Sequence, residues 1–124
     1  MRPNSARITL VAVGALLMLV TLAGCKPDNI FISIENGSGG TLHHVKLTYP
    51  GNDLSVSTLD ISQTVGGFRH FDGPGALTVS YTTEDGHDYS SSGPEVTGNE
   101  KGDVKVRIDG SYASFDTKLE ESKE

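Results

Sequence analysis

From residue 30 onward the chain runs in short stretches of apolar–polar alternation, each cut off by glycine, proline, asparagine or aspartate, and this leaves it little choice of fold. Ile30, Ile32 and Ile34 alternate with Phe31, Ser33 and Glu35. Side chains that repeat with period two line opposite faces of a strand, so one apolar face forms without any helical period. The run ends at Asn36-Gly37-Ser38-Gly39-Gly40, residue types that tolerate positive φ and permit a reversal. Val45, Leu47 and Tyr49 resume the pattern up to Pro50-Gly51-Asn52-Asp53, a strong turn cluster.

Further along, Leu54, Val56 and Thr58 share one face while Leu59 and Ile61 fall on the other. The period therefore slips by one near Thr58, as a bulge or a change of strand would require. Gly66-Gly67 precedes Phe68 and Phe71, and Asp72-Gly73-Pro74-Gly75 turns again. Leu77, Val79 and Tyr81 mark the clearest central strand. Glu84-Asp85-Gly86 reads as a hairpin turn into His87, Tyr89 and Ser91, a thinly apolar partner suited to a sheet edge. Residues 90–102, with Gly93, Pro94, Gly98, Gly102 and mixed charge, read as a mobile loop. Val104, Val106 and Ile108 form the last strand. Residues 111–124 read as an acidic tail in which Tyr112 and Phe115 extend the core briefly before the end frays.

About six or seven short strands, with no helical period or internal repeat among them, predict an all-β chain. The expected form is a small antiparallel β-sandwich of immunoglobulin-like architecture over residues 30–110, with a small partly open β-barrel as the alternative. The immunoglobulin tryptophan and paired cysteines are absent, so the expectation concerns architecture and not family. Its core would draw on Ile30, Ile32, Ile34, Val45, Leu47, Leu77, Val79, Tyr81, Val104, Val106 and Ile108, each stabilising the fold by about 1.5–3 kcal/mol on full burial.

Ahead of the strands, Arg2 and Arg7 flank the start of an uncharged apolar run over residues 8–23, and Leu22-Ala23-Gly24 closes it directly before Cys25, the only cysteine. As a helix that run would span about 24 Å, short of a hydrocarbon core of roughly 30 Å. A signal peptide over residues 1–24 explains it better than a permanent span. These residues resemble the lipobox of bacterial lipoproteins. The resemblance implies that Cys25 takes a diacylglyceryl thioether, that small Ala23 and Gly24 admit the peptidase cutting before it, and that the new amino terminus is acylated as well. Several chains, at about 0.8 kcal/mol per buried methylene, hold far more firmly than one. Lys26 stands where the inner-membrane retention signal of many Gram-negative bacteria would place an aspartate, which implies the outer membrane, with the domain facing the periplasm. Residues 25–29, with Pro27, are then a lipidated tether. Lipidation also removes a lone thiol that could form no internal disulfide.

Losing Arg2 and Arg7 with the signal leaves eight Lys and Arg against sixteen Asp and Glu, a formal charge of −8. No basic stripe remains to neutralise phosphates, so nucleic acid is not an expected partner, and an acidic body gains nothing from anionic headgroups. The histidines are the first place to look for chemistry. His43 and His44 would point to opposite faces of a strand, whereas His70 and Asp72 would share one as an i, i+2 pair. Zinc takes three or four protein ligands, so that pair would have to recruit His87 or Asp88 from another loop. No serine has the flanking glycines of a nucleophile elbow, and the glycines at 37–40 lack a P-loop ending. No cofactor is expected.

The expected function is therefore non-catalytic: a monomeric, lipid-anchored module of the cell envelope that binds or assists another protein. Its partner would be an envelope subunit or an incoming toxin or phage factor, the latter making it an immunity or exclusion lipoprotein. Contact is expected along the thin edge at Asp88, Tyr89 and Ser91, by strand addition. The alternative is a periplasmic metal-binding protein or small enzyme using His70 and Asp72.

Overall fold

The computed structural model describes residues 27–122. Among them the chain forms eight strands: β1 (Ile30–Asn36), β2 (Leu42–Tyr49), β3 (Asn52–Leu59), β4 (Thr64–Arg69), β5 (Gly75–Thr82), β6 (Asp88–Val96), β7 (Glu100–Ile108) and β8 (Ala113–Glu121). They make two four-stranded sheets, ordered β4-β1-β7-β8 and β3-β2-β5-β6. Neither sheet closes on itself, so the fold is a sandwich and not a barrel.

Alternation decides which faces meet. Ile32 and Ile34 of β1 lie in register with Val104 and Val106 of β7 at the centre of the first sheet. Their inward side chains share one core with Val45, Leu47, Leu77, Val79 and Tyr81 of the second sheet, and every residue of the expected core is buried. Leu42, Tyr49, Leu59, Phe71 and Val96 join it. The sandwich is antiparallel except where β1 pairs with β7, which is parallel. A parallel pair needs a long crossover, and here the five strands between the two supply it.

The period slip near Thr58 is shared by two neighbouring strands. Leu42 pairs with Leu59 and Val45 with Val56, so β2 and β3 both advance by three residues between core positions. On the other side of β2, the register with β5 shifts over the same stretch. His44 lies in this irregular stretch, in the left-handed region at φ 51°. It is exposed while His43 is half-buried, and the two do not converge on one site.

Two segments depart from the sequence expectation. Residues 90–102, expected as a loop, finish β6 and begin β7, with only residues 97–99 between them. Residues 113–121, expected within a frayed tail, form β8, paired with β7 from Ile108↔Ala113 to Glu100↔Glu121, so the sandwich runs past residue 110. Both β6 and β8 are edge strands with one diluted inward face, which is why their alternation is faint: Tyr89, Ser91 and Gly93 on one, Ala113, Phe115 and Thr117 on the other. They meet across the sandwich. A Cβ at Gly93 would fall 2.6 Å from the Phe115 ring, so the large side chain of β8 fills the space that the bare position of β6 leaves. Between the pairs Thr78↔Ser92 and Ala76↔Glu95 the edge strand β6 carries an extra residue, a bulge at Gly93-Pro94.

The connections gather at two ends. At the first lie residues 27–29, the turn at 50–51, the loops 70–74 and 97–99, and the last residues of β8; this is the tether end. At the far end lie the connections 37–41, 60–63, 83–87 and 109–112. Along β5, seven steps at about 3.3 Å put roughly 23 Å between the two.

Candidate functional site

Leu22, Ala23, Gly24, Cys25 and Lys26 lie outside the described residues, whose first member, Pro27, stands at the tether end. The structure does bring His70 and Asp72 together, with Nε2 3.1 Å from Asp72 Oδ1. The other ring nitrogen, Nδ1, lies 2.6 Å from Asp28 Oδ1. The two carboxylates sit on opposite nitrogens of the ring, so no single point is within reach of all three groups. Since a carboxylate only accepts, both bonds coexist when the ring donates from both nitrogens. His87 is at the far end, with Nδ1 3.0 Å from Asp85 Oδ2, and cannot complete the set. Asp88 is also at the far end, where it accepts from Thr82 Oγ1 at 2.5 Å. Among the described residues no group of three or more His, Cys, Asp and Glu is placed to hold a metal ion. The contact that His70 does make ties the tether, through Asp28, to the loop after β4.

Among the described residues, the loops of the tether end pack on one another. Phe71 is buried there against Tyr49, with ring centroids 5.7 Å apart, and the Asp72 N–H donates to the Pro50 carbonyl at 2.9 Å. Gly98, at φ 97°, packs so tightly on Gly73 that a Cβ would lie 2.6 Å from that residue's backbone. Glu100 accepts the N–H groups of Thr97 and Gly98 at 2.8 and 2.9 Å. Burial pushes its carboxyl up, but the hydrogen bonds from the 97–98 turn outweigh burial and hold it below the usual glutamate range.

The far end is open. A cleft of about 530 Å³ lies between residues 38–40, residues 83–85 and residues 110–111, with Tyr89 on its wall. Asn36, fully buried, ties together the loops below it. Its Nδ2 donates to the carbonyls of Gly40 and Leu59, both at 2.9 Å, and its Oδ1 accepts from the Ser38 N–H and hydroxyl at 2.9 and 2.6 Å. Above it, the Glu84 carboxylate accepts the Thr41 N–H at 3.2 Å, joining the β5–β6 turn to the β1–β2 loop. Thr83 Oγ1 donates to Asp85, and that bond, opposed by slight burial and reinforced by His87, holds the Asp85 carboxyl below the ordinary range.

Charge around the cleft is unbalanced. Arg107 is already committed, with Nε 2.9 Å from Asp109 and Nη1 3.1 Å from Glu35. Among the described residues no Lys or Arg forms an ion pair with Glu84 or Asp85. Beside the cleft, Tyr81 stacks on Tyr89 with centroids 5.8 Å apart. Its hydroxyl is buried without a hydrogen-bond partner among the described residues. Burial, then the neighbouring Tyr89 and Asp109, push that phenol up.

Compared with protein-family models and with curated proteins, the chain finds no match. Among solved structures, an NMR structure of a protein from Eubacterium rectale is similar to it, with a TM-score of 0.54 at 18% identity, covering 74% of this chain and 92% of that one. At that identity the likeness shows the fold alone.

The thin partner of β5 is at a sheet edge, as its composition suggested. Its three singled-out residues do not share a surface, however. Asp88 faces outward, whereas Tyr89 and Ser91 face inward and are half-buried, so Tyr89 belongs to the cleft wall. Below them the Gly93-Pro94 bulge interrupts the edge, and proline offers no N–H to an added strand. Sequence reasoning missed Asn36. The available signal was parity: Asn36 continues the inward series Ile30, Ile32, Ile34, so a polar side chain was bound to enter the core and to need partners there.

Proposed function

We propose that the mature chain is a lipid-anchored module of the cell envelope that meets a partner protein with the cleft at its far end, and that its contribution is binding and not catalysis. The observation that carries this reading is the polarity of the sandwich. Residues 27–29 enter at the end whose described loops pack on one another, and the open, loop-built cleft is about 23 Å away at the other. An anchor at one end of a rigid body presents the opposite end to whatever arrives. Loops on a rigid scaffold are also the usual place for recognition, because they vary without cost to the core.

Charge selects the kind of partner. Among the described residues Glu84 and Asp85 stand at the cleft without a Lys or Arg paired to them, on a body of net charge −8, so a basic loop or strand end fits and an acidic one is repelled. The five residues of β6 above its bulge adjoin the cleft through Tyr89 and can extend the same contact. Both an envelope subunit and an incoming toxin fit these terms.

The test compares two sets of charge changes in the full lipidated chain. Glu84→Lys with Asp85→Lys is expected to abolish recovery of partner proteins from solubilised envelopes, while Asp28→Asn with Asp72→Asn leaves recovery unchanged. Equal recovery from both, with circular dichroism showing intact β-structure, would contradict the assignment of the far end.

A further inference from the structure

Resting on the reading that Cys25 carries lipid, we infer that the aromatic pair Phe31–Phe68 on the outer face of the first sheet lies against the bilayer that holds the anchor, so that the domain leans on the membrane rather than swinging free of it. The two rings are large apolar groups left outside the core: Phe31 is 37% exposed and Phe68 61%. They face each other across β1 and β4, in register and edge to face, with centroids 5.0 Å apart. The pair is braced. A Cβ at Gly66 would lie 3.1 Å from the Phe31 ring, so that glycine lets the ring lie down on the neighbouring strand.

Position supplies the occupant. Phe31 is the second residue of β1, and Phe68 the last but one of β4, so both stand at the tether end. Phe31 is six residue steps beyond Cys25, and a fully extended chain of that length reaches at most about 20–22 Å. The surface within that radius of the lipid is the membrane itself. Aromatic rings at this depth suit the boundary between headgroups and acyl chains, where an apolar face is rewarded and no backbone has to be buried.

Charge next to the pair does not oppose the contact. Beside Phe31 in the sheet is Asp103, which is in register with Lys118, and Lys101 lies 3.9 Å from Glu120. This neighbourhood is balanced although the whole chain is strongly acidic. Glu84 and Asp85, which an anionic surface would repel, are at the other end. The two exposed apolar side chains at that far end, Ile61 and Tyr112, lie on separate connections.

The chain contains no tryptophan, which makes the test direct. Phe68→Trp and Tyr112→Trp are prepared separately as full lipidated chains, incorporated into vesicles of phosphatidylethanolamine and phosphatidylglycerol, and compared with vesicles whose acyl chains carry bromine. The Phe68→Trp fluorophore is expected to shift to the blue and to lose most of its intensity to bromine, and the Tyr112→Trp fluorophore to do neither. Phe31→Trp repeats the measurement from the other ring if the first variant does not fold. Vesicle-bound protein in which the tether-end and far-end fluorophores are equally unquenched overturns the inference and leaves the anchor standing. Protein that does not float with the vesicles overturns the anchor and this inference together.

Discussion

The two ends of the sandwich solve the same problem in opposite ways. Each must satisfy the backbone groups of several connections that cross between sheets or turn within them. At the tether end the loops pack directly on one another: Phe71 plugs the opening against Tyr49, Gly98 lies on Gly73, and His70 holds Asp28 and Asp72 on either side of its ring. At the far end one buried polar residue, Asn36, anchors the loops from below, and the space above stays open as a cleft. Among the described residues the first end is filled by its own side chains and backbone. An end held from beneath can keep its rim free, and that rim is where a partner is expected.

The largest effect that could break this contrast is on the plug. Phe71→Ala is expected to cost about 3–5 kcal/mol of global stability, because a fully buried ring leaves a cavity that tight loops cannot fill. Denaturant unfolding measures it, and a loss below 1 kcal/mol would mean that the tether end is not packed as described. Next in size, Asn36→Ala removes donors and acceptors from four hydrogen bonds and takes the side-chain donor from the Leu59 carbonyl, while the Ser38 hydroxyl still reaches the Gly40 carbonyl at 2.9 Å. About 2–3 kcal/mol is expected, with faster amide exchange confined to the far-end connections. Exchange that quickens equally at residues 97–99 would erase the distinction between the ends.

How much of this was legible in the sequence follows from what alternation can and cannot carry. The central strands β1, β2, β5 and β7 were plain because both neighbours of each demand one uniformly apolar face. The start of β6 was readable as a thin edge strand through Tyr89 and Ser91, but its second half and β8 were not, since an inward face that falls away to Gly93, or one made of Ala113, Phe115 and Thr117, mimics loop composition. Strand pairing supplied the order that side chains did not advertise. The far-end cleft was invisible for another reason: its walls come from residues 38–40, 83–85 and 110–111, and only the sheet register brings them together. His70 with Asp72 was readable as a pair, but its second partner, Asp28, is 42 residues earlier and no spacing rule connects them.

Two smaller effects sharpen the comparison. Tyr81→Phe deletes a buried hydroxyl that has no partner among the described residues, and a gain of up to about 1 kcal/mol is expected in place of the usual loss. A loss above 1 kcal/mol in thermal or denaturant unfolding would show that the hydroxyl is bonded through water at the cleft. At the tether end the Glu100 carboxyl is held low by the N–H groups of Thr97 and Gly98, despite burial. Its contribution is therefore full above the unfolded glutamate value of about 4.3 and is lost as pH falls through the lower folded value. Acid should thus loosen residues 97–99 before the far end, as read by amide exchange, and Glu100→Gln should flatten that dependence. Simultaneous loosening of both ends would contradict the local cause.

All of the contrast between a held end and a presented end rests on lipid at Cys25, and the mass of the mature chain recovered from membranes tests it most directly. The mature protein is expected to begin at Cys25 and to carry the added mass of a diacylglyceryl group and a further acyl chain, and a Cys25→Ala chain to be neither cleaved nor lipidated. A wild-type chain that begins at Cys25 without lipid mass, or that retains residues 1–24, would contradict it.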